Sequence, residues 1–171
     1  YCSVVDRFTR PKKSVPTFDM LILNHDTAER KMRRMALEIV ERNAGSAALV
    51  LLGIRENGIY IARRMQHYLK EFFPGSVSVY ALTLDKKNPG TVTIDGSINW
   101  NNQTVLLIDD VANSGRTMLY ALKPLLEAQP KRIQTVALVE RTHKQFPIAV
   151  DYVGLSVATA PNQHIEVEVK D

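Results

Sequence analysis

The chain of 171 residues has one cysteine, Cys2, so it can form neither an internal disulfide framework nor a zinc site built on paired thiolates. Cysteine usage this low suits a reducing compartment, and a cytoplasmic location is expected. No apolar run approaches the ~20 residues that span a bilayer, and the first residues lack the apolar core of a secretory signal. No membrane contact is therefore expected. Tyr1 stands first in place of a methionine, which leaves room for residues before it. Internal repeats, low-complexity tracts and interdomain linkers are missing as well, which argues against solenoid and multi-domain organisation. Neither a Gly-x-Gly-x-x-Gly fingerprint nor a Gly-Lys-Ser/Thr ending occurs, so the familiar dinucleotide and Walker loops are excluded.

The composition that remains, 45% hydrophobic and 23% charged, is that of an ordinary globular domain long enough to bury a sizeable core. A net charge of +4 favours anionic ligands, whether small phosphates or RNA, without choosing between them. Basic residues gather in the first twenty positions, where Arg7, Arg10, Lys12 and Lys13 surround Pro11 and Pro16. Residues 1–20 are expected to be an extended arm, solvated or used in dimer contact, and residues 21–171 a single domain.

The most informative stretch is Val105-Leu106-Leu107-Ile108-Asp109-Asp110-Val111-Ala112-Asn113-Ser114-Gly115-Arg116-Thr117. Four apolar residues in a row read as a strand buried on both faces, as in the middle of a parallel sheet. The two acids then emerge at its carboxyl end, the edge where open α/β sheets bind ligands. Asn113, Ser114, Gly115, Arg116 and Thr117 turn the chain into a helix whose first amides have no intrahelical partner and can receive a phosphate. Gly115 permits close approach and positive φ, and the Ser114 and Thr117 hydroxyls can donate to phosphate oxygens. Ionised Asp109 and Asp110 accept from the vicinal hydroxyls of a ribose.

Around this motif the periodicity alternates between strand and helix. Asp26-Thr27-Ala28-Glu29 opens a helix as a capping box, and Asn43-Ala44-Gly45 closes it. Residues 47–52 are a buried strand, and residues 53–58 a loop. A second helix follows with Ala62, Met65, Leu69 and Phe72 inward, stopped by Pro74-Gly75. Residues 77–84 alternate as a strand, and Asp95-Gly96 between residues 91–94 and 97–100 signals a hairpin. The helix over residues 115–129 contains Pro124 and is expected to kink or divide there. Residues 134–139 and 152–157 are further strands, and Ile165, Val167 and Val169 alternate with Glu166 and Glu168 in a half-exposed one. The whole predicts an α/β fold, a parallel sheet with helices on both faces.

On these residues the chain resembles the type I phosphoribosyltransferases, whose signature for phosphoribosyl pyrophosphate is an apolar strand, two acids and a short Thr/Ser-Gly-x-Thr loop. It is most similar to the branch that joins pyrimidine regulation to uracil phosphoribosyl transfer. That similarity is carried by Gly53-Ile54 through Gly58-Ile59-Tyr60, by Arg141-Thr142-His143-Lys144 with Pro147-Ile148, and by Asp151-Tyr152-Val153-Gly154. The resemblance covers residues 21–169.

The family implies a pentosyl transfer from phosphoribosyl pyrophosphate to a nucleobase with Mg²⁺ as cofactor. Asp109 and Asp110 would touch the ribose hydroxyls or the metal's waters, and residues 113–117 would hold the 5′-phosphate. Arg55, Glu56, Asn57 and Gly58 would form the pyrophosphate loop, with Arg55 as its charge. Lys86 and Lys87 would sit on a lid over residues 84–90, shorter than in uracil-active relatives and without their Tyr-Arg pair. Arg141, Val157 and Ala158 would meet the base beneath a small hood made by the chain ends. A homodimer or higher homo-oligomer is implied as well.

Base identity rests on two departures. Purine-salvage members carry an aspartate three residues after the second acid and a lysine before the arginine that ends the next strand; here these are Asn113 and Glu140. An amide takes no proton near neutral pH, and a carboxylate repels a 6-oxo group. Uracil is therefore the expected acceptor, with Glu140 alternatively a structural partner of Arg141. The alternatives kept are a purine-type or catalytically weak enzyme and a nucleotide-sensing regulator that binds RNA through Arg30, Arg33, Arg34 and Arg42 with His143 and Lys144. RNA is the less favoured partner, because the Thr-Arg-x-x-His set of RNA-binding relatives is replaced by Arg33-Arg34-Met35-Ala36-Leu37, and Ala149 replaces their arginine.

Overall fold

The computed structural model describes residues 2–8, 20–85, 89–158 and 163–169. Two sheets carry the fold. The larger has six strands in the order β5-β4-β3-β6-β7-β8: β3 (Ala48–Ile54), β4 (Ser76–Leu84), β5 (Val92–Ile94), β6 (Thr104–Ala112), β7 (Arg132–Arg141) and β8 (Tyr152–Val157). All neighbours are parallel except β5, which returns antiparallel along β4. The central position of β3, β6 and β7 explains their near-continuous apolar composition, since helices cover both faces. The smaller sheet is the hood: β1 (Cys2–Phe8) runs antiparallel between β2 (Met20–Leu23) and β9 (Gln163–Val169).

Residues 2–8 are therefore the middle strand of the hood rather than part of a solvated arm. Cys2, Val4 and Val5 are buried, and the Val4↔Val167 pairing brings the two ends of the chain together. Residues 9–19 lie outside the described residues.

Helices α1 (His25–Arg42) and α2 (Asn57–Phe72) pack on one face of the main sheet. The sequence expectation for the start of α1 is off by two residues. Asn24, not Asp26, is the cap, its side chain accepting from the Thr27 amide at 2.9 Å. Glu29 does not turn back to the cap; it pairs with Arg64 and accepts from the Tyr68 hydroxyl, tying α1 to α2. The end at Asn43 is as expected, with the Asn43 amide donating to the Ile39 carbonyl.

The basic face of α1 is directed toward the outer strand β8. Lys31 Nζ donates to the Gly154 carbonyl (3.0 Å), Arg34 to that of Val153 (2.7 Å) and Arg42 to that of Asp151 (3.3 Å). Arg33 stacks over Phe72, so Phe72 is only half-buried and Phe73 takes the inward place expected for it.

The opposite face carries α3 (Arg116–Ala121) and α4 (Lys123–Ala128). Pro124 divides the helix, as its missing donor requires, and sits in the first turn of α4, where that donor is not needed. Met118, Ala121 and Leu125 pack onto Val105, Leu107 and Ala137.

Asp95-Gly96 does not close a hairpin between residues 91–94 and 97–100. β5 pairs instead with β4, Ile94 opposite Leu82, and residues 97–100 form no strand. Just past β5, the Asp95 amide still donates to the Ala81 carbonyl of β4, and its carboxylate pairs with Arg55. Register along an existing strand outweighs the local turn preference.

Candidate active site

β6 does not stop at Ile108. Its ladder with β7 runs on through Asp109↔Ala137 to Ala112↔Glu140, so the two acids belong to the strand and are nearly enclosed, at 3% and 8% exposure. Two buried carboxylates need donors. Asp109 Oδ1 accepts from the Asp110 amide at 3.0 Å, and Asp110 Oδ2 accepts from Asn57 Nδ2 at 2.9 Å.

Both acids open onto a cavity of about 430 Å³ lined by Asn113, Ser114, Gly115 and Thr117 on one side and by Glu56 and Asn57 on another. Its third wall is the hood, through Ile165, Glu166 and Val167 of β9.

Close backbone packing shapes the floor. A Cβ on Gly58 would stand 2.7 Å from the Ile108 carbonyl oxygen, so only glycine lets α2 approach β6 beside Asp109. Gly115 adopts φ +83°, and a Cβ there would meet Ile148 Cγ2 at 2.4 Å. The turn it permits brings Ser114 against the β7–β8 connection, whose Gln145 and Phe146 amides both donate to the Ser114 carbonyl at 3.0 Å. Thus the loop expected to hold phosphate is braced from behind. Because α3 ends at Ala121, the amides of this loop, more than a long helix dipole, carry any anion affinity.

Arg141 reaches the same loop: its Nη1 donates to Asn113 Oδ1 at 2.8 Å. Glu140 is paired with Lys144 and receives Ser156 Oγ at 3.4 Å. Burial lowers the Lys144 ammonium from its ordinary pKa.

The structure does not bring together every residue expected at the site. Arg55 follows β3 directly, and its peptide to Glu56 is cis. Its guanidinium pairs with Asp95 and lines a separate groove with Arg63 and Tyr80, turned from the cavity that Glu56 and Asn57 face. The loop expected over residues 53–58 thus shrinks to Arg55 and Glu56 between β3 and α2. Arg116 lies over the Tyr120 ring, 5.8 Å from its centroid, and does not line the cavity. Val157 and Ala158 do not line it either; the Val157 carbonyl accepts from the Thr142 amide. Lys86 and Lys87 lie outside the described residues.

The hood residues that do line the cavity were missed. The alternation of Ile165 and Val167 with Glu166 signals a strand but not which groove it covers. No lysine or arginine among the described residues lines the cavity, so its walls offer carboxylates, amides and hydroxyls.

The arginines suggested as an RNA-contacting row are exposed, yet several point donors into the fold. Arg34 and Arg42 serve the carbonyls of residues 153 and 151, and Arg30 donates to Thr27 Oγ1. No helix is long and apolar enough to cross a membrane among the described residues.

The sequence matches the model of the Phosphoribosyl transferase domain over residues 21–171. It is 35% identical to the Bifunctional protein PyrR of Leuconostoc mesenteroides over 159 residues, 88% of this chain and 91% of that one. It is 34% identical to that of Bacillus cereus (88% and 91% covered) and 33% to that of Haemophilus ducreyi (89% and 90%). The fold is similar to the hypoxanthine phosphoribosyltransferase of Trypanosoma cruzi, with a TM-score of 0.70 at 17% identity over 79% of each chain. A hypoxanthine-guanine phosphoribosyltransferase from Bacillus anthracis gives 0.68 at 15% over 80% of each. The chain belongs to the type I phosphoribosyltransferase family and is similar in sequence to its PyrR members.

Proposed function

We propose that the protein transfers the phosphoribosyl group of phosphoribosyl pyrophosphate to uracil, releasing pyrophosphate. The observation that carries this reading is the placement of Asp109 and Asp110 beside the 113–117 loop in one cavity. Sugar hydroxyls need acceptors and a 5′-phosphate needs amide and hydroxyl donors, and the two sets stand side by side.

In the transfer, the bond from C1 to pyrophosphate breaks with its electron pair leaving on oxygen, and C1 bonds to a ring nitrogen of the base, whose N–H proton passes to the departing pyrophosphate. Positive charge grows on the ribose while the bond breaks. The carboxylates of Asp109 and Asp110 hold the ribose hydroxyls and favour that charge, while Ser114, Thr117 and the loop amides fix the phosphate end. The hood strand β9 covers the opening and keeps water from C1.

The donor set also fits magnesium. Its walls are hard oxygen donors without a cation, while no cluster of three His, Cys, Asp or Glu that could hold a metal occurs among the described residues. That suits an ion which keeps several waters and binds through one or two carboxylates together with substrate phosphates. Asp109 and Asp110 would hold it through water or the ribose hydroxyls, and when bound it neutralises charge on the leaving pyrophosphate.

Uracil is favoured over hypoxanthine and guanine because Asn113, at the position of the purine members' acid, is an amide already accepting from Arg141. Glu140 beside it is engaged by Lys144. At these two positions the purine members' pairing of an aspartate with a lysine for the 6-oxo group is therefore missing. Pyrophosphate release is measured with magnesium and phosphoribosyl pyrophosphate across uracil, hypoxanthine, guanine, xanthine, adenine and orotate. Release with uracil alone is expected. Release with a purine alone overturns the base assignment, and no release despite tight sugar-phosphate binding moves the protein to a sensor.

A further inference from the structure

Asn57 opens α2, and its amide nitrogen serves two acceptors that belong to different parts of the fold. Nδ2 donates to Asp110 Oδ2 on β6 and to the Val167 carbonyl on β9, each at 2.9 Å. Because both partners only accept, the orientation of the amide is determined: both its hydrogens are in use. β9 is an outer strand of the hood, order β2-β1-β9. Among the described residues its outer edge pairs with no further strand, and Asn57 supplies the Val167 carbonyl with a donor.

We propose that Asn57 is a positioning residue that latches the hood to the second acid, so that seating of the hood and orientation of Asp110 are coupled. The proposal rests on the phosphoribosyl-transfer reading for the task of Asp110, but the latch itself does not. With the hood seated, Asp110 is held toward the cavity it shares with the phosphate loop. When β9 lifts, Asn57 loses one partner and the Asp110 carboxylate gains freedom to rotate. A sugar phosphate bound on Asp110 therefore favours the closed hood, and a closed hood favours the sugar phosphate.

The hood carries its own reporter. Cys2 is the single cysteine of the chain, fully buried in β1 and paired in register with Val169. Its alkylation requires at least the Cys2–Val169 end of the hood to open. Rates of Cys2 alkylation are compared for the parent chain and Asn57→Ala, each with and without phosphoribosyl pyrophosphate and magnesium, with Ser114→Ala as a control that weakens the phosphate loop only. Asn57→Leu, similar in size and without donors, serves as a second variant should the alanine variant fold poorly.

The latch predicts alkylation about tenfold faster in Asn57→Ala than in the parent chain, and an unchanged rate in Ser114→Ala without ligand. It also predicts that ligand protects Cys2 in the parent chain and not in the Asn57 variants, and that KM for the sugar phosphate rises more than kcat falls. An unchanged alkylation rate in folded Asn57 variants overturns the latch, whatever the protein catalyses. Equal ligand protection in parent and variants overturns the coupling. Absence of ligand binding in the parent chain condemns the phosphoribosyl-transfer reading instead, while the ligand-free rates still decide the latch.

Discussion

Arg141 Nη1 donates to Asn113 Oδ1 at 2.8 Å, joining the end of β7 to the 113–117 loop. A guanidinium has only donors, so Asn113 must present its carbonyl oxygen to Arg141, which leaves the amide nitrogen as its group for a ligand in the cavity it lines. Such a group can donate to a carbonyl oxygen and abstracts no proton. Arg141→Met, similar in length but without donors, is expected to raise KM for the base about tenfold, the worth of one charge-assisted hydrogen bond. Steady-state kinetics with base and sugar phosphate varied separately check this; a rise confined to the sugar phosphate would assign Arg141 to the loop alone.

Gly115→Ala tests the phosphate loop. The residue adopts φ +83°, and the added methyl would meet Ile148 Cγ2 at 2.4 Å, combining a strained backbone with a clash. We expect a loss of about 2–3 kcal/mol in stability and loss of sugar-phosphate binding, read by thermal melting and titration calorimetry. Unchanged affinity would show that the loop does not hold the phosphate.

Acid sensitivity is expected at the α1–α2 contact. Burial pushes the Glu29 carboxyl up, but the hydrogen bonds from Arg64 and Tyr68 outweigh it, and its pKa falls below the ordinary 4.5. Tyr68 is correspondingly pushed up to about 12, by burial first and by its bond to Glu29. A depressed carboxylate stabilises the fold above its unfolded pKa, and that stability is lost as pH falls through the folded value. With Arg64 37% exposed, the contribution is about 0.5–1 kcal/mol. Glu29→Gln should lower stability by that amount at pH 7 and by less at pH 3, checked by urea unfolding at both. An equal loss at both would assign the contact to shape rather than charge.

The sheet and the site were legible to different degrees. Residues 105–108 and 134–139 announce central strands because burial on both faces removes polar alternation, and Pro124 announces a broken helix because a missing donor has no remedy. Asp109 and Asp110 are recognisable because two acids after an apolar run have few structural uses. The Asp95-Gly96 hairpin misled because turn preference is weaker than the pairing of β5 with β4. Arg55 misled for a related reason: which way a loop arginine turns depends on Asp95, forty residues on and outside any local pattern. The resemblance implied a hood from the chain ends, yet residues 2–8 were read as part of an arm, and that Val167 would meet Asn57 depends on tertiary placement alone.

Titration calorimetry with phosphoribosyl pyrophosphate and magnesium measures directly whether Asp109, Asp110 and the 113–117 loop hold the sugar phosphate. The account predicts micromolar affinity in the parent chain, about −8 kcal/mol, and at least about a hundredfold loss, ~2.8 kcal/mol, in the double variant Asp109→Asn, Asp110→Asn with its fold intact. Affinity unchanged by the double substitution would contradict it.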